Sequence, residues 1–250
     1  MKTLRLQSIF FSMWLVLSLF GQTVQAEPQH SATSNEQDET TFNDLTESLP
    51  AVAFRFTFTV ENRGSTTQAE HEDWYLWREA TQIETRSGSG ETSEIWRRDW
   101  EGFISYQRVS HTDQQVIDYT PDDLSSLQLS PDWAHLTSII SHDFITLNLD
   151  DGGQVETLGK QARRYQGTVN GVEIEVWWLE AEQIPALFRQ TSGAQVTTLR
   201  LQEVYPLEQS PWLRARADQY AHVNFDELTD QESDPFARRL QSQVASPYLR

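Results

Sequence analysis

From Val52 to Val60 the chain alternates without a break, Val52, Phe54, Phe56, Phe58 and Val60 against Ala53, Arg55, Thr57 and Thr59. Only a strand repeats its side-chain direction every two residues, so this stretch has one apolar face to bury and one polar face to leave wet. Further segments of strand character follow at 73–79, 82–86, 93–99, 102–109 and 114–119, and again at 144–149, 154–158, 162–169, 172–177, 187–191 and 195–204. Their connections are short and rich in Gly, Ser, Thr and Asp, which makes neighbouring strands antiparallel and a meander the simplest topology. Asp150-Asp151-Gly152-Gly153 reads as a turn, and Asn170-Gly171 between two alternating runs is a strong two-residue hairpin signal. The fold class predicted is mainly β, an antiparallel sheet with a few short helices.

Those helices have their own signals. Phe42, Leu45 and Leu49 recur at helical spacing until Pro50 ends the run. Thr120-Pro121-Asp122-Asp123 opens a second helix, and Ser130-Pro131-Asp132 a third, with Ser130 as cap and Trp133, Leu136, Ile139 and Ile140 as its apolar side. Asp234-Pro235 begins a last one that runs to about Gln243. No repeat or low-complexity linker divides the chain. The expected organisation is one domain at 41–209 with a helical insertion near 121–141, preceded by an acidic leader at 27–40 and followed by an extension at 210–250 that packs on the domain through Trp212, Tyr220, Phe225 and Phe236.

The first residues carry Lys2 and Arg5, an apolar run fills Ile9 to Phe20, and Val24-Gln25-Ala26 offers the small residues a signal peptidase accepts. The run is short of the roughly 20 apolar residues that span a bilayer. It predicts a signal peptide at 1–26, cut after Ala26, with the mature chain in a bacterial periplasm and no transmembrane segment after cleavage. There is no cysteine, which removes disulfides, thiol catalysis and zinc thiolates together. A formal net charge of −18 repels phosphate backbones, so nucleic acid is not an expected partner.

Phe42-Asn43-Asp44-Leu45-Thr46-Glu47-Ser48-Leu49 leading into Phe54-Arg55-Phe56-Thr57-Phe58-Thr59-Val60 resembles the start of the LolA-like family of periplasmic lipoprotein carriers. Trp96-Arg97-Arg98-Asp99-Trp100-Glu101-Gly102 is similar to that family's strand pairs. The stretch from Gly171 to Pro185 resembles its late hairpin, in which a tryptophan strand leads to a proline. The resemblance spans about Thr41 to Val204. It implies a strongly curved antiparallel half-barrel, its open side covered by helices, around a cavity for acyl chains. The acidic surface and the extension from Ser210 depart from the family, and no individual functional residue carries over.

Nine tryptophans are the most unusual feature of the composition. Indoles combine a large apolar area with an N–H that wants a partner, which suits cores and ligand surfaces alike. Adjacent Trp177 and Trp178 must point to opposite faces of one strand, as must Trp74 and Tyr75. The candidate ligand-binding residues are Trp74, Trp77, Trp96, Trp100, Tyr106, Trp177 and Trp178. Metal sites are not expected: His71, His111, His135 and His142 lack ligand spacing, and Asp150-Asp151 reads as turn chemistry. Glu173 and Glu175 share a strand face but read as its solvated side, and no nucleophile motif or phosphate loop is present. No cofactor and no catalytic residue is therefore assigned. The leading reading is a non-enzymatic periplasmic protein binding a lipid or lipoprotein acyl chain. An accessory protein docking on an envelope complex through exposed aromatics, in transient contact with a membrane protein, comes second, and an envelope hydrolase last.

Overall fold

In the computed structural model, residues 49–64 and 70–229 are described. The signal, the leader, the helix expected before Pro50 and the one expected after Asp234 lie outside them. The described residues form twelve strands: β1 (Val52–Asn62), β2 (Glu70–Arg78), β3 (Gln82–Ser87), β4 (Thr92–Arg98), β5 (Ile104–Ser110), β6 (Gln115–Tyr119), β7 (Asp150–Thr157), β8 (Lys160–Val169), β9 (Val172–Leu179), β10 (Ile184–Ser192), β11 (Gln195–Pro206) and β12 (Ala221–Asn224). They make one open sheet in the order β12-β6-β5-β4-β3-β2-β1-β11-β10-β9-β8-β7. Two meanders, β1 to β6 and β7 to β11, are thus joined where β1 pairs antiparallel with β11. Among these strands only β12, beside β6, runs parallel to its neighbour.

Alternation sets the faces. On β1, Phe54, Phe56 and Phe58 point inward, and their neighbours continue the apolar row across the sheet. Phe58 stands opposite Leu199, Leu199 opposite Phe188, Phe188 opposite Val176 and Val176 opposite Tyr165. Four short helices lie over this inner face: α1 (Pro121–Ser126), α2 (Trp133–Ser138), α3 (His142–Asn148) and α4 (Phe225–Thr229). Leu124, Trp133, Ile139, Ile140, Ile145 and Leu228 from these segments close one continuous core with the strands.

The cover departs from expectation in three places. The second covering helix starts at Trp133, with Asp132 as cap accepting from the amide of Ala134 at 3.1 Å, so Ser130 and Pro131 stay outside it. The stretch 144–149, expected as strand, is α3 up to Asn148 with Leu149 as its cap: the Ser141 hydroxyl accepts from the amide of Phe144, and Ile145 and Leu149 bury one side at helical spacing. Finally, Asp150-Asp151-Gly152-Gly153 is no turn but the start of β7. A bulge falls between Asp151 and Gln154, and the Asp151 carboxylate accepts from the Gly153 amide and Arg163. The turn that follows is Leu158-Gly159, both with positive φ, as are Asn170 and Gly171 in the next hairpin.

The chain after Pro206 crosses the outer face of β2 to β6 as a strap. Trp77 donates its indole N–H to the Ser210 hydroxyl, and Trp212 packs on Tyr75 and Tyr205. Arg214 bonds Glu79 and Glu84, and Ala217 and Tyr220 cover Ile95, Val109 and Val116. The strap then pairs as β12 and turns over the sheet edge, setting Phe225 of α4 on Tyr119.

A candidate ligand-binding inner face

The inner face is richest in aromatics along one cross-strand row. Tyr119 stands opposite Tyr106, Tyr106 opposite Trp96, Trp96 opposite Ile83, Ile83 opposite Arg78 and Arg78 opposite Val52. The rings of Trp96 and Tyr106 stack at 4.3 Å, and those of Tyr106 and Tyr119 lie 5.0 Å apart. Trp74 joins them from β2, packed on Phe56 at 5.5 Å. Burial drives the Tyr106 hydroxyl well above the usual phenol range, and it donates to Glu94 at 3.2 Å.

Arg78, the last residue of β2, stands in this row and is fully buried. Its guanidinium donates to three backbone carbonyls: Thr137 of α2 at 2.9 Å, and Glu182 and Gln183 in the β9–β10 turn at 2.6 and 3.4 Å. It forms no ion pair among the described residues, and burial lowers its pKa to about 10. One cation thus ties the helical cover to the sheet through neutral acceptors, with its guanidinium carbon 5.2 Å from the centre of the Phe54 ring. Sequence reasoning passed over Arg78. The one available signal was an arginine continuing the inward alternation Trp74, Leu76, Arg78.

The seven aromatic candidates separate. Trp74, Trp96, Tyr106 and Trp178 lie on the inner face, Trp178 fully buried with its ring 5.4 Å from that of His142. Trp77 is on the outer face, shut beneath the strap. Trp177 is on the outer face as well, half-buried, with Arg200 over its ring at 5.6 Å. Trp100 belongs to neither face: it is 90% exposed at the tip of the β4–β5 hairpin, beside half-exposed Phe103. That tip is held by Asp99, whose carboxylate accepts from the amides of Glu101 and Phe103.

Elsewhere the chemistry is polar. On β8 to β10 an open cleft of about 380 Å³ is lined by Arg63, Arg164, Glu173, Glu175 and Arg189, with Glu175 bridging Arg164 and Arg189 at 2.9 Å each. Among the described residues no three His, Cys, Asp or Glu side chains gather as metal ligands, and no helix is long and apolar enough to cross a membrane. His135 and His142 fall in separate helices because Ile139, at φ 69°, ends α2.

No family model and no curated protein matches the chain. Among solved structures it is similar to an uncharacterized conserved protein from Thermus thermophilus, at 14% identity over 75% of this chain and 98% of that one, TM-score 0.38. It is similar to a LolA superfamily protein from Nitrosomonas europaea, at 8% identity over 75% of this chain and 96% of that one, TM-score 0.32. It is also similar to the MucA/MucB complex of Pseudomonas aeruginosa, at 12% identity over 73% of this chain and 59% of that one, TM-score 0.33.

Proposed function

We propose that this protein is an exported, non-enzymatic carrier that holds the acyl part of a lipid or lipoprotein between its inner sheet face and the helices over it. The observation that supports this most is the way the cover is attached. Its helices are each seven residues or fewer, far below the length at which a helix is stable by itself. They rest on apolar contacts and, through α2, on the Arg78 bond to the Thr137 carbonyl. Such a cover can lift as a unit and expose a face already lined with aromatic rings, where Trp74, Trp96, Tyr106 and Trp178 would meet the ligand. An acyl chain gains about 0.8 kcal/mol for each methylene it buries there. Native mass spectrometry of protein purified from the periplasm, followed by lipid analysis after unfolding, tests the reading. A retained amphiphile released on denaturation is expected; a clean apo mass, with no apolar dye entering the protein, would remove its basis.

A second reading has an observation of its own. Trp100 and Phe103 stand out from a hairpin tip fixed by Asp99, a preorganised pair of the kind that anchors protein interfaces. On that reading the chain docks on an envelope protein through this tip. Site-specific crosslinking from position 100 in intact cells distinguishes the two, since a stoichiometric protein adduct without any bound amphiphile favours docking.

A further inference from the structure

Besides the His142 Nε2, which lies 3.9 Å from Glu180 Oε1 and has no hydrogen bond among the described residues, the helix-covered inner face holds three buried N–H donors that no group among the described residues satisfies: the Trp133 and Trp178 indole N–H groups and the Arg78 Nε–H. Trp178 and Arg78 have no exposed surface and Trp133 keeps 5%. All three belong to one part of the molecule. Arg78 bonds the carbonyl of Thr137, Thr137 lies one helical turn after Trp133, and His142, which opens the next helix, has its ring 5.4 Å from that of Trp178. The donors are therefore strung along the underside of α2 and its junction with α3. On the outer face the indoles do find partners: Trp77 donates to Ser210 and Trp177 to Glu175.

Buried donors without acceptors are rare, because each gives up its hydrogen bond to water for nothing. A pure hydrocarbon would leave all three unsatisfied. A ligand that brings an oxygen acceptor to the inner face would satisfy one or more of them, and neutral indole donors suit a neutral carbonyl without the cost of burying an anion. We propose that the site selects an acyl group by its carbonyl oxygen, as in an ester or amide, with the Trp178 indole, or the Trp133 indole further along α2, as the donor that recognises it. This rests on the carrier reading and adds a preference for carbonyl-bearing chains over plain hydrocarbon.

The test uses the full chain after signal removal and two probes with equal numbers of heavy atoms, methyl dodecanoate and pentadecane, each displacing a bound fluorescent naphthylamine. The ester is expected to bind about fivefold more tightly to the unaltered protein than to a variant lacking its donor, the worth of one net hydrogen bond, while pentadecane binds the two alike. Trp178→Phe keeps an aromatic ring and deletes the donor. It should weaken the ester about fivefold while leaving pentadecane unchanged, and Trp133→Phe provides the independent second variant. Ester affinity untouched in both variants, or ester and pentadecane weakened alike, overturns the carbonyl assignment while the carrier reading stands. Failure of both probes to displace the dye overturns the carrier reading itself, and this assignment with it.

Discussion

On the outer face of β2 and β3, Trp77 and Glu84 are shut away from water beneath the strap, while on β9 Trp177 and Glu175 keep part of their surface open. The residues are of the same kind, and both pairs stand on strands whose other face is core. What differs is who completes them. In the first half the chain returns over itself, so the Glu84 carboxylate meets the Ala215 amide and Arg214, and Ala53, Ile95, Val109 and Val116 can be apolar on a face that would otherwise be wet. In the second half the sheet's own cations do the work: Arg200 lies over Trp177, and Arg164 and Arg189 share Glu175. A strand with large side chains on both faces needs a second cover, and here two solutions serve one sheet.

The sharpest way to break this comparison is to truncate the two outer tryptophans. Trp77→Ala should cost about 4 kcal/mol, because a fully buried indole leaves a cavity under the strap. Trp177→Ala should cost about 1 to 2 kcal/mol, since water already reaches that ring. Urea unfolding of both variants measures the difference; equal losses would mean that the strap does not close over β2. Next comes the charge pair. Arg214→Ala leaves Glu84, its side chain 1% exposed, with a single backbone donor, and should cost about 3 kcal/mol. Arg189→Ala leaves Glu175 with Arg164 and the Trp177 indole, and should cost less than about 1 kcal/mol. A similar small cost for both would place the two halves on one footing.

The same contrast explains what could be read from residues alone. Period-two alternation marked nearly every strand, and Asn170-Gly171 marked its hairpin, because those signals are local. The adjacent pair Trp177 and Trp178 showed that one ring must face away from the core, but whether a cover, a cation or solvent meets it depends on partners as distant as Arg200. For Trp77 the partner is Ser210, more than a hundred residues on. The run 144–149 was misread because Phe144, Thr146 and Asn148 mimic alternation over six residues, where strand and helix patterns are hard to separate. The Ser141 cap and the Ile145 and Leu149 pair decided it for helix. Arg78 stayed hidden for a different reason: a lone arginine at a strand end reads as solvated, and only the carbonyls of Thr137, Glu182 and Gln183, supplied by two other segments, make it a buried tie.

The smallest expected effect lies at the far end of the strap, and it depends on pH. Arg97 donates to Gln82 and to the Gln107 side-chain oxygen, so the Gln107 amide must donate onward to Asp118. The other oxygen of Asp118 meets His222 Nδ1 at 2.7 Å, and His222 Nε2 meets the carbonyl of Ala217 at 3.0 Å. Both ring nitrogens therefore face acceptors, a geometry that only the imidazolium satisfies in full. The bond to Asp118 raises the His222 pKa above its ordinary 6.5, helped by the Ala217 carbonyl, against burial and the charge of Arg97. A raised histidine adds stability that is complete below its unfolded value and is lost as pH climbs through the folded one. Above that point the neutral ring keeps one N–H and must give up either Asp118 or Ala217. Because the His222 side chain is 42% exposed, the change should loosen β12 rather than unfold the sheet. Amide exchange at 221–224, corrected for its intrinsic rate, should be faster at about pH 8.5 than at about pH 6. His222→Phe should show no such difference, while amides under the uncovered outer face of β9 stay constant in both proteins. Protection at β12 that ignores pH, or a Phe variant that keeps the dependence, would detach the strap from its histidine and leave its hold on β4, β5 and β6 to Ala217, Tyr220 and the β12–β6 pairing.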